Sequence, residues 1–78
     1  MPFTAAHLDE INLLCRFNLD STQAGLKIHS SADARVISAA QSLHQKELIT
    51  QPDGGYLTAL GLHAAQHAQQ LSLILNKA

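Results

Sequence analysis

The chain predicts a small, mainly α-helical domain: three or four helices, with a two-stranded β-hairpin just before the last of them. Three observations carry this. Apolar residues recur at three- and four-residue steps along three stretches. A Pro-Asp-Gly-Gly cluster at 52–55 separates two short strand-like runs. Apolar residues make up 46% of the 78 and charged residues 14%, against about 25% charged in an ordinary soluble domain. A chain of this size buries only about 60% of its unfolded surface, so residues 1–78 are read as one domain without a separate catalytic unit. Twelve alanines support helix but add little core volume. The bulky core must come from thirteen Leu, five Ile, one Val and three aromatic residues.

The first helix is expected to begin at Thr4, whose hydroxyl can cap the free amides of the first turn, with Phe3 and Leu8 spaced for a hydrophobic staple. Asp9 and Glu10 lie towards its positive end and Arg16 towards its negative end. Leu8, Ile11, Leu14 and Cys15 share one face, broadened by Leu13 and Phe17, and the helix should fade near Asn18. Asp20, with Gln23 three residues later, has the form of a second cap and favours a short helix over 21–28, carrying Ala24, Leu26 and Ile28. Gly25 and the alternation Leu26-Lys27-Ile28-His29 would equally suit a short strand.

Ser30 or Ser31 can cap the next helix, expected from Ala32 to Glu47 with Asp33 in its first turn and Val36, Ile37, Ala40 and Leu43 as its buried stripe. Leu48-Ile49-Thr50 and Tyr56-Leu57-Thr58 then form a hairpin around a tip at 51–55, where glycines permit positive φ. Thr58 caps the last helix, which runs to about Leu75. Its main stripe is read as Leu60, Ala64, Ala68, Leu71 and Leu75. Leu62, Leu73 and Ile74 fall off that stripe, and apolar residues on a second face predict a partner surface, most simply a homodimer interface formed by these three.

The run Leu43-His44-Gln45-Lys46-Glu47-Leu48-Ile49, followed by the hairpin tip and Gly55-Tyr56-Leu57-Thr58-Ala59-Leu60-Gly61, resembles the recognition-helix-to-wing passage of winged-helix transcription regulators. The likeness spans roughly residues 31 to 65. Glu47 stands where that family commonly ends its helix with Gly, and Tyr56-Leu57-Thr58 is one residue shorter than the family's Tyr-x-Leu-Thr. The chain as a whole looks like a family of short bacterial proteins of no assigned function, through Asp20-Ser21-Thr22-Gln23 and the run from Ile49 to Thr58. The winged-helix resemblance implies DNA contacts on Arg35, Ser38, Gln41, Ser42 and Gln45. Lys46 is a further cation on the same helix, and a symmetric dimer would double the set.

Charge bears against strong DNA binding. Net charge is -1, Asp33 and Glu47 offset the two cations of the candidate recognition helix, and the wing carries Asp53 where cations would meet phosphate. Arg35 and Lys46 then serve only to solvate a helix face. Two functions follow as expectations: a small regulator binding duplex DNA weakly as a homodimer, or a protein-interaction module that does not bind DNA.

His63 and His67 are four apart on one helix face and could offer two metal ligands, but two ligands do not make a site. No metal, cofactor or small-molecule substrate is expected. Five histidines titrating near neutrality predict pH-dependent association. Cys15 falls on a buried stripe and reads as a core residue. No phosphate loop, nucleophile elbow or paired-carboxylate arrangement is present, so enzyme activity is not expected. The amino-terminal stretch lacks the charged and apolar regions of a signal peptide, no run approaches the roughly 20 residues of a membrane span, and a cytoplasmic location is expected.

Overall fold

The computed structural model describes residues 2–21 and 24–77. Three helices and three short strands follow in the order α1 (Ala5–Leu14), β1 (Leu26–Lys27), α2 (Ala34–Gln45), β2 (Ile49–Gln51), β3 (Gly54–Leu57) and α3 (Ala59–Leu75). The hairpin β2–β3 sits before the last helix, as the sequence predicts.

Thr4 caps α1 reciprocally: its Oγ1 accepts from the His7 amide (3.2 Å) while His7 Nδ1 accepts from the Thr4 amide (3.1 Å). The expected staple is absent as a buried contact. Phe3 and Leu8 both stay exposed, and Phe3 meets the His7 ring edge-on instead. Beyond Leu14 the chain makes a tighter turn, with the Arg16 amide bonded to Leu13 O and that of Phe17 to Leu14 O. Leu13, Leu14 and Phe17 are core residues, with Ile11 and Cys15 packed against them.

The helix favoured over 21–28 does not form in the described part of that segment. Thr22 and Gln23, and with them half of the proposed second cap, lie outside the described residues. Leu26 and Lys27 form β1, paired antiparallel with Gly55 and Gly54, and the Ile28 amide donates to Asp53 O. The outcome is a three-stranded sheet in the order β1-β3-β2. Partners some 27 residues away decide this segment, not its local propensity.

α2 is shorter than the predicted 32–47 because Asp33, not a serine, is its cap, accepting from the Arg35 amide at 2.8 Å. Ala39, Ala40 and Leu43 are buried, with Val36 and Ile37 half-buried beside them. Its C-terminus closes with the Leu48 amide bonded to Leu43 O (2.9 Å) and the Glu47 amide to His44 O (3.0 Å), the two bonds of a Schellman motif. Glu47 therefore adopts φ +65°, the only described non-glycine residue at positive φ.

The turn of the hairpin is tighter than a tip spanning 51–55. Gln51 pairs with Gly54, so Pro52 and Asp53 alone make the reversal and both glycines belong to β3. Gly54 (φ +122°) lies so close to β1 that a β-carbon there would overlap the Leu26 carbonyl.

Thr58 caps α3 as predicted, Oγ1 accepting from the Gly61 amide at 3.0 Å. The same hydroxyl donates to Glu47 O (2.7 Å), tying the start of α3 to the end of α2. The predicted stripe of α3 is displaced. Gly61, Ala65 and Ala68 are its buried residues, whereas Leu60, Leu71 and Leu75 are exposed. Small side chains face inwards because the backbone of α3 runs directly against its neighbours. A β-carbon on Gly61 would lie 2.8 Å from the Leu48 carbonyl carbon. Gln69 Nε2 donates to Phe17 O (2.8 Å) and to Leu14 O (3.3 Å), which also accepts the Phe17 amide, and so ties α3 to the turn that follows α1. Among the described residues no helix is long and apolar enough to cross a membrane.

Candidate interaction surfaces

The DNA-contact candidates lie on or just after α2. Helical spacing places Arg35, Ser38, Gln41, Ser42 and Gln45 on one face, and all but the half-buried Ser42 are exposed. Three of the six candidates, Ser42, Lys46 and Arg35, have partners within the chain. Lys46 Nζ bonds both carboxylate oxygens of Glu10, at 2.8 and 2.9 Å, and Ser42 Oγ donates to Glu10 Oε2 at 3.3 Å. Glu10 is itself only 6% exposed. Rather than meeting a helix end, this carboxylate points from α1 into α2 and uses those side chains to satisfy its buried oxygens.

The remaining cations near α2 and the wing are also paired. Arg35 Nε lies 3.5 Å from Asp33 Oδ1. Lys27 on β1 bonds Asp53 in the turn of the hairpin. The Asp33 carboxyl is held below its ordinary range, first by the Arg35 amide bonding it and then by the guanidinium charge. The hydrogen bond from Lys27 lowers Asp53 in the same sense. A groove between α2 and the turn of the hairpin is lined by Ile37, Gln41, Lys27, Asp53 and Pro52 among others. It mixes apolar and polar side chains, and its one lysine is paired with Asp53, so it holds no cluster of cations for phosphate.

A second surface lies on α3, whose 17 residues include no Asp, Glu, Lys or Arg. The three residues predicted to form a dimer interface separate here. Leu62 is half-buried and lines a cleft with Phe17, Leu19 and Leu57, in the first turns of the helix and apart from the other two. Leu73 and Ile74 are 76% and 67% exposed. Neither residue's neighbours in sequence bury the last turn: Leu71 and Leu75 are exposed too. Leu60, Ala64, His67, Leu71 and Ile74 follow each other at steps of four, three, four and three, the spacing of a helix-pairing seam. Of these only Ala64 is half-buried; the rest are exposed. The composition of α3 held the signal for this face, since an uncharged helix cannot be solvated on its outer side by ionised groups.

Cys15 is free and half-buried against the core. Among the described residues no group of three or more His, Cys, Asp or Glu is placed to hold a metal ion.

The pattern of a family described as a family of unknown function (DUF5669) matches residues 1–76. No curated protein and no solved structure matches the chain. The architecture, three helices with a short hairpin before the last, is consistent with the broad winged-helix-like shape.

Proposed function

We propose that this chain, which belongs to the DUF5669 family of unknown function, acts as a winged-helix-like interaction module that pairs with a second copy of itself through the outer face of α3. One observation carries the reading: a 17-residue helix without a charged side chain leaves Leu60, Leu71 and Ile74 exposed along one seven-residue repeat. The second copy is the occupant that suits this face. In a two-fold contact, where residue i of one copy meets j of the other, j meets i in return, and a seam without ionised groups meets itself without like-charge repulsion. Setting Leu60 of one copy against Leu71 of the other also sets small Ala64 against larger His67, so an antiparallel pair is self-complementary. Three partly exposed aliphatic residues per copy make a small interface, and the pairing is therefore weak and concentration-dependent.

Sedimentation equilibrium over a wide range of protein concentration tests this reading. The wild type should follow a monomer–dimer equilibrium, Ile74→Glu should be a folded monomer by circular dichroism, and Leu73→Glu, which alters a residue off the seam, should associate like the wild type. A wild type that stays monomeric throughout, or an Ile74→Glu variant that associates as before, would refute it.

A second reading, weak DNA binding by the homodimer, draws on the exposed polar face of α2. It requires an affinity for random duplex that falls as salt rises and is lost in Arg35→Glu. Binding that is insensitive to both would remove it.

A further inference from the structure

We infer that His63 and His67 form half of a binding site for a divalent ion that favours imidazole, with Zn2+ as the probe, and that the same pair on a second copy of the chain completes it. The inference rests on the α3 pairing proposed above. Both residues are exposed, and neither ring takes part in the hydrogen bonds found among the described residues. Four residues apart on a continuous helix, they project from one face about one turn apart, close enough for both imidazoles to reach a single ion. His7 is a contrast: its Nδ1 is used to accept the Thr4 amide in the cap of α1.

The seam gives this pair a route to four ligands. His67 lies within the Leu60–Ala64–His67–Leu71–Ile74 row and His63 flanks it. In the antiparallel register that sets Leu60 against Leu71, His63 of each copy falls opposite His67 of the other, because the two pairs sum to nearly the same sequence position. A parallel pair would instead set each histidine beside its own counterpart. In either direction four imidazoles gather within about one helical turn of the two-fold axis, and tetrahedral Zn2+ takes four such ligands. The absence of charge along α3 leaves no local carboxylate or ammonium to compete. A small apolar seam gives a weak pair, and an ion shared between the copies strengthens it by mass action.

The test is sedimentation equilibrium of the full chain after EDTA treatment, with and without added Zn2+, together with calorimetric titration for stoichiometry. Zn2+ should tighten the dimer by about tenfold or more at one ion per two chains. His63→Ala, which flanks the seam, should lose that effect while keeping the metal-free association of the wild type, and His67→Ala, on the seam itself, should show no tightening by Zn2+ relative to its own metal-free association. His44→Ala, altered on α2, should retain it. A dimer that forms only when Zn2+ is present, and only with both histidines, upholds the inference even if the metal-free pairing is refuted. Four results overturn it: no change in association with Zn2+, a change that survives His63→Ala and His67→Ala, a change lost in His44→Ala, or one ion per chain without dimer formation. Metal-free association abolished by Ile74→Glu but indifferent to Zn2+ leaves the pairing standing and removes the metal site alone.

Discussion

Replacing Glu47 by glycine should stabilise this protein, and the size of the gain follows from the end of α2. Glu47 sits at φ +65°, the left-handed region where an L-residue's β-carbon crowds the carbonyl, at a cost of about 1–2 kcal/mol. The conformation is imposed from both sides. The Leu48-to-Leu43 and Glu47-to-His44 bonds close the helix end, and Thr58 Oγ1 holds the Glu47 carbonyl from the start of α3. Glycine removes the crowding but adds freedom to the unfolded chain, which costs back about 0.5–1 kcal/mol. The net expectation is a gain of about 0.5–1 kcal/mol, and at about 4–8 °C per kcal/mol for a domain of this size the melting temperature should rise by a few degrees. Urea denaturation followed by circular dichroism would read this as a higher midpoint with an unchanged slope. Glu47→Ala is the control, since it removes the carboxylate and keeps the β-carbon. If alanine stabilises as much as glycine, the gain comes from charge and the backbone argument is wrong; if glycine destabilises, the left-handed strain is not what this position costs.

Gly61→Ala should have the opposite sign: the new methyl would overlap the Leu48 carbonyl, and forcing the start of α3 away from it should cost about 1–3 kcal/mol in the same denaturation assay; a neutral result would mean that α3 does not run this close. Lys46→Met leaves the buried Glu10 carboxylate without its cation, and because the Lys46 side chain is half exposed the loss should be about 1–2 kcal/mol, with part recovered on adding Glu10→Gln; loss of the same size in the double variant would show that the pair itself contributes little. Asp53 is held below its ordinary value in the folded chain, chiefly by the bond from Lys27, so this contribution is present above the unfolded carboxyl pKa of about 3.9 and is lost as pH falls through the lower, folded value. Wild type should therefore melt above Asp53→Asn at pH 6, and the gap should close near pH 2; a gap that persists there would assign the difference to something other than the ionised carboxylate.

What the sequence makes legible divides by the range of the interactions involved. Thr4 and Thr58 mark helix starts because a cap acts on amides two or three residues away, and both act there in the structure. Asp33 escapes the same reasoning only because two serines precede it and an aspartate fits either a cap or a first turn. β1 is only half legible for the opposite reason. The alternation Leu26-Lys27-Ile28-His29 suits a strand as well as a helix, and what decides for the strand is that Gly54 and Gly55 come alongside, residues far outside 21–28. The inward face of α3 is hidden by size: a search for large apolar residues selects Leu60, Leu71 and Leu75, but the close approach to Leu48 and α1 is made by Gly61, Ala65 and Ala68. The acidic pair on α1 illustrates the third limit. Asp9 and Glu10 are neighbours in sequence, yet a helix turns them about 100° apart, and only Glu10 swings in towards Ser42 and Lys46.

That turn changes the balance between the two functional readings. For Lys46 to contact a phosphate it would have to leave Glu10, and a carboxylate 6% exposed would then lose its cation, so the affinity gained from one phosphate is set against the desolvation of one buried charge. Lys27 and Arg35 face the same competition more weakly, at exposed pairs where solvent screens the loss. Arg35 and Lys27 can each be turned to a ligand at small cost, which predicts a shallow salt dependence for one copy and no more than about four counterions released through them by a symmetric pair. The outer face of α3 meets no such opposition. Its exposed aliphatic residues gain from any burial, no ionised group has to be desolvated first, and the chain's scarcity of charge, which weakens α2 as a reader of DNA, is the property on which the proposed pairing of α3 rests.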